Sequence, residues 1–182
     1  MRSSLVAVAV LIVMGCTSTR TIAPREYLDE KTAATITAVA DPWIFNREGA
    51  PPQLDFVHLY AIDVNRMGDH RKYLVVVKYW PAPELSSADI PTLELGLSRD
   101  GLRLEPGGDD PRDLGIGQPI DPSAPRSAKS WFYPIDKAGL AAVSKAQALS
   151  LTLVLGDTRA PYVVWRDGSA ALSEFATVAQ DW

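Results

Sequence analysis

Apolar and polar residues alternate with a period of two in several segments of this chain. Leu93, Leu95 and Leu97 are interleaved with Thr92, Glu94, Gly96 and Ser98, and Leu149, Leu151, Leu153 and Leu155 with Ser150, Thr152 and Val154. That spacing turns every apolar side chain to one face of an extended strand and predicts half-buried strands. Residues 56–64 and 73–80 are apolar on both faces through much of their length, with Val75, Val76 and Val77 in the middle of the second run. Runs of that kind predict strands covered on both sides. Residues 32–39, 43–45, 102–104, 130–133 and 161–166 add further strand signals. Helical spacing appears in two places. Asp136 is placed to cap a helix from Lys137 to about Gln147, with Leu140, Val143 and Ala146 on one face, and Ser169 to cap another carrying Leu172, Phe175, Ala176 and Ala179. Residues 66–70 predict a hairpin connection, as does Asp100-Gly101. The expected fold is mainly β: an antiparallel β-sandwich of about seven to nine strands with one or two short helices.

The first residues follow another rule. After Met1-Arg2-Ser3-Ser4, residues 5–14 are all apolar. A run of that length is too short to cross a hydrocarbon core of about 30 Å, and it has the dimensions of a signal-peptide core. Val13-Met14-Gly15-Cys16 resembles a lipobox. The resemblance implies cleavage before Cys16 and a diacylglyceryl group on its sulfur. An ordinary cleaved signal peptide and an uncleaved anchor are the rival readings. Thr17, rather than Asp, follows the cysteine; in Gram-negative lipoproteins of similar sequence this implies sorting to the outer membrane. The expected organisation is a signal peptide over 1–15, a lipidated tether over 16–25 and one β-rich domain over 26–182. The expected location is the cell envelope, on the periplasmic face of the outer membrane.

Composition narrows the function classes. Cys16 is the single cysteine in 182 residues, so its acylation leaves no thiol for a disulfide, a metal or nucleophilic catalysis. The net charge of −4 argues against nucleic acid, which selects basic surfaces. No motif for a cofactor or a metal is found: the two histidines, His58 and His70, are not at metal-ligand spacing. Gly115-Ile116-Gly117 lacks the third glycine and the lysine of a phosphate loop, and Pro119 stands where its helix would open. The carboxylates of residues 107–113 lack EF-hand spacing.

The candidate binding residues are Arg66, His70, Arg71 and Lys72, which concentrate positive charge at one hairpin and would suit an anion or a wall carboxylate; a solvated turn is the plainer reading. His58 is a candidate general base or, more simply, a sheet-face histidine. The strand aromatics Trp43, Phe45, Tyr79, Trp80, Trp131, Phe132, Tyr133, Tyr162 and Trp165 could line a ligand groove or a partner surface, but are expected in the core, where such rings bury most area.

Residues 25–37 and 63–68 resemble stretches of uncharacterised proteobacterial lipoproteins. That family carries no assigned activity, so the resemblance supports the envelope address and transfers no site residue. The expectation is a non-enzymatic binding or adaptor domain, held to the membrane through Cys16 and meeting an envelope protein or wall component. A small-ligand carrier and a carboxylate-based enzyme acting on cell-wall material are the alternatives.

Overall fold

The computed structural model describes residues 22–49, 55–79, 90–97, 101–108 and 110–179. Among the described residues, ten antiparallel strands form one hydrogen-bonded network, and two short helices pack against it. The mainly β expectation holds, and the strand count is ten. The strand without a clear signal is β1 (Arg25–Asp29), whose exposed Arg25, Glu26 and Leu28 hide its alternation.

The network is built on β4 (Phe56–Arg66). Along one edge of β4, its first half pairs with β3 (Trp43–Arg47) and its second half with β2 (Ala34–Ala38). One arm continues from β2 to β1. The other runs from β3 through β10 (Thr158–Arg166), β9 (Ser150–Leu155) and β6 (Thr92–Gly96) to β7 (Gly101–Leu104). The opposite edge of β4 pairs with β5 (Asp69–Lys78), which in turn pairs with β8 (Lys129–Pro134).

Strands β4 and β5 are apolar on both faces because both faces are covered. Val57, Leu59, Ala61, Leu74, Val76, Trp131 and Tyr133 join the inward residues of β6, β9 and β10 and of both helices in the larger core. Tyr60, Ile62, Val64, Tyr73, Val75, Val77 and Phe132 form a second core closed by Leu114, Ile116 and Ile120. The Gly- and Pro-rich stretch after β7 is therefore a cover for a sheet face. Asp29 fastens it: this fully buried carboxylate accepts from the backbone N–H of Gly117 at 2.6 Å and of Gln118 at 3.0 Å. Burial works to raise the Asp29 pKa, and these backbone donors outweigh it and hold the group ionised below its ordinary range.

The β4–β5 connection is tighter than expected. The ladder runs to Arg66 opposite Asp69, leaving Met67 and Gly68 as a two-residue turn with φ of 54° and 92°. Both values lie in the left-handed region that a type I′ hairpin requires. Helix α1 (Lys137–Ser144) starts where predicted, with the Asp136 side chain accepting from Gly139 N at 2.7 Å. Helix α2 (Ser169–Ala179) is capped differently. The Gly168 carbonyl accepts the first helical bond, from Leu172, and Asp167 Oδ1 accepts from Ser169 N at 2.7 Å. Ser169 is thus the first helical residue.

Gly168 is fixed by close approach. A Cβ there would lie 2.6 Å from Trp43 N and 2.7 Å from the Pro42 carbonyl carbon. Both are backbone atoms and cannot swing aside. Gly168→Ala is expected to cost roughly 1–3 kcal/mol through overpacking, read as a lowered urea midpoint with unchanged slope. Among the described residues, no helix is long and apolar enough to cross a membrane.

Candidate functional site

The β4–β5 ladder sets Lys72 opposite Asp63 and His70 opposite Asn65. Alternation puts Asp63, His70 and Lys72 on one face, continuing the row of Leu74 and Val76. Asp63 is 1% exposed. Its Oδ2 lies 2.6 Å from His70 Nδ1 and its Oδ1 3.4 Å from Lys72 Nζ. Arg71 pairs with Asp69 at 2.9 Å on the solvent side.

His70, Arg71 and Lys72 form one wall of an open cleft of about 600 Å³. Leu102 and Leu104 of β7 supply an aliphatic wall, and Ile135, Asp136 and Gly139 close the end at the start of α1. Of the four predicted binding residues, His70 and Lys72 turn to the cleft, while the pairings of Val64 with Arg71 and of Arg66 with Asp69 put Arg71 and Arg66 on the opposite face of the ladder. Arg66 is on the other side of the hairpin, packed toward Gly115, where an added Cβ would meet its Cδ at 3.0 Å. The cleft is amphipathic. It offers His70 and Lys72 beside Asp63, so a ligand there meets a paired polar rim and an apolar floor, not a bare anion hole.

His58 has a partner that no local motif announces. Asp121, on the cover loop, lies with Oδ2 3.6 Å from His58 Nδ1. The same oxygen accepts from Tyr60 OH at 2.7 Å and from Tyr79 OH, while Oδ1 accepts from Ser123 N at 2.9 Å and Ser123 Oγ at 2.6 Å. Burial pushes toward a raised Asp121 pKa, but His58, Ser123, Tyr79 and Tyr60 together hold the carboxyl well below the usual range. The same burial and contact push the Tyr79 hydroxyl up to about 12. A serine-type triad needs the hydroxyl hydrogen-bonded to the imidazole. Here Ser123 donates to the carboxylate, so the arrangement is an acceptor hub that fastens the loop to β4 and β5.

A third polar cluster closes the far end of the larger core. Lys78 is fully buried; its Nζ donates to Asp55 and to Tyr162 OH at 2.9 Å. Tyr162 OH also donates to Asp55 Oδ1 at 3.0 Å, and Arg47 NH1 lies 3.5 Å from Asp55 Oδ2. The sequence carries one sign of this lysine. Lys72 and Lys78 are in phase with Leu74 and Val76, in a run apolar on both faces.

Elsewhere, Asp110 forms a bidentate pair with Arg112 on the surface, its Oδ2 accepting from Arg112 NH2 at 2.7 Å. Among the described residues, no group of three His, Cys, Asp or Glu side chains is arranged to hold a metal ion. Most strand aromatics lie in the core, including Trp43, Phe45, Trp131, Phe132, Tyr133 and Tyr162; Trp165 is 61% exposed. Cys16 and Trp80 fall outside the described residues, as do Asp100 and Asp109 of the two predicted turns and loops. No family model, curated protein or solved structure matches the chain.

Proposed function

We propose that this chain is a lipid-anchored envelope domain that acts as a non-enzymatic binding or adaptor module at the periplasmic face of the outer membrane. The lipobox-like Val13-Met14-Gly15-Cys16 supports the anchor. The observation that carries the binding reading is the cleft where His70 and Lys72 face Leu102 and Leu104. A polar rim around an apolar floor is the anatomy of a recognition surface. Each buried carboxylate (Asp29, Asp55, Asp63 and Asp121) has donors of its own and a place in holding the fold.

The test is in-cell photo-cross-linking of the full chain. A photoreactive residue replaces Leu104 in the cleft or Glu174 on the exposed side of α2. The expected result is one envelope adduct from position 104 and none from 174. Its yield falls with His70→Gln and with Cys16→Ser, and palmitate labelling is lost only in Cys16→Ser. Equal adducts from both positions, or none from the acylated protein, overturn the binding reading. Absence of acylation in the native chain overturns the anchor.

A further inference from the structure

Three consecutive residues near the end of β10 are exposed and apolar: Val163 at 47%, Val164 at 39% and Trp165 at 61% exposure. Val163 and Phe56 both pair with Asn46 and so share one face, while Val164, opposite Phe45, turns to the other. A register shift between Val164 and Arg166 marks a bulge that turns Trp165 outward, edge-on to Phe56 with ring centroids 5.7 Å apart. We propose that this β10 face, with Phe56 beside it, rests on the lipid surface to which Cys16 is anchored. The inference depends on the anchored reading and adds the orientation of the domain.

The first observation is where the chain enters the domain. Arg25 pairs with Ala38, and Ala38 with Ile62 of β4; Arg166 pairs with Ile44, and Ile44 with His58 of β4. Arg25 and Arg166 are therefore each two strands from β4 on the same edge. They differ in level by the His58-to-Ile62 step, about 13 Å at the rise of a strand. Two antiparallel steps make β1 run parallel to β4, so Ile22 precedes Arg25 on the side toward His58, and hence toward the end of β10. Two contacts hold this corner. Arg25 NH2 donates to Ile120 O at 3.5 Å, next to the Asp121 that lies against His58, and Arg166 NH2 donates to Asp41 Oδ1 at 2.8 Å.

The second observation is the length of chain between anchor and domain. Six residue steps separate Cys16 from Ile22, which fully extended reach about 20 Å. A domain held that closely presents to the bilayer whatever surrounds Ile22, itself 44% exposed. The neighbouring surface carries Trp165 beside Phe56 and Val163, and tryptophan favours the headgroup boundary because its ring is apolar with one polar N–H. The β4–β5 hairpin, with Met67 fully exposed at its tip, lies at the opposite end of β4. This orientation holds the hairpin and the His70–Lys72 rim away from the lipid.

The test uses the full chain, expressed in cells, extracted and reconstituted into vesicles of phosphatidylethanolamine and phosphatidylglycerol. Val163→Cys and Met67→Cys are each labelled with a nitroxide. Cys16 is the only other cysteine, so one label per chain reports an acylated Cys16 and two report a free one. The expected result at 163 is a several-fold higher collision rate with oxygen than with an aqueous nickel chelate, relative to 67. Equal aqueous exposure at 163 and 67 in singly labelled protein overturns the lipid contact and leaves the anchor standing; protection of 163 from both reagents assigns the face to a protein and overturns it too. Two labels per chain overturn the anchor, and the collision ratio at 163 on that same protein, compared with Cys16→Ser, then decides the lipid contact by itself.

Discussion

Replacing Lys78 by methionine is expected to destabilise the domain by about 3–5 kcal/mol, the usual cost of stripping one partner from a buried ion pair. Lys78 is fully buried and Asp55 is 6% exposed, so the carboxylate left behind cannot recover its hydration. Tyr162 still donates to it and Arg47 stands 3.5 Å away, which limits the damage without removing it. The loss is a large fraction of the roughly 5–15 kcal/mol that holds a typical domain together. Urea unfolding of the native chain and Lys78→Met measures it. Adding Asp55→Asn to Lys78→Met is expected to restore part of the loss, because a neutral amide still accepts from Tyr162 and leaves no unpaired charge. The double-mutant cycle should therefore show strong non-additivity. Equal losses in the single and double variants would sink the idea that the charge, and not the packing of the lysine stem, is what matters.

Asp121→Ala is expected to cost roughly 2–4 kcal/mol, since it leaves the buried Tyr60 hydroxyl without its acceptor and frees a loop that covers the second core. Here the pH dependence is diagnostic. The folded protein holds the Asp121 carboxyl well below its ordinary pKa. A depressed folded pKa means that the unfolded chain takes up the proton first. The stabilisation is therefore complete above the unfolded value, near 3.9, and is lost as pH falls from there toward the folded value. The stability gap between the native chain and Asp121→Asn should be constant from pH 7 to about 5 and should narrow below about 4. A gap that stays constant through that lower range would show that the carboxylate charge contributes nothing. Tyrosine absorbance gives a second reading of the same hub. The Tyr79 hydroxyl, pushed up to about 12, should titrate last among the half-exposed tyrosines in the native chain and earlier in Asp121→Ala.

The strands were legible wherever one face is wet. The Leu93–Leu95 and Leu149–Leu155 alternations map directly onto β6 and β9, which pair with each other. The doubly buried runs mark β4 and β5 for the same reason, since a strand covered on both sides has no polar face to show. β1 was hidden because it lies at the end of an arm with Leu28 61% exposed, so its side chains carry little burial signal. The residues 66–72 were legible as a charged hairpin. That His70 and Lys72 share Asp63 follows from the two-residue turn. A one-residue change in register would place them on the other face.

Long-range pairings were not legible at all. Tyr60 meets Asp121 across 61 positions, Lys78 meets Tyr162 across 84 and Gly117 meets Asp29 across 88. Sequence by itself determined the period of each segment, and through it the mainly β class, the doubly covered centre, the two helices and the apolar run before Cys16. Periodicity states which face a side chain occupies and nothing about which segment lies over that face. Only the tertiary structure decided that a Gly- and Pro-rich loop closes the second core, that His58 faces a carboxylate, that Arg66 is parted from His70 and Lys72, and that Trp165 is left outside. Those outcomes depend on how β4 shares one edge between β2 and β3, a division of hydrogen bonds between distant strands that no local spacing encodes.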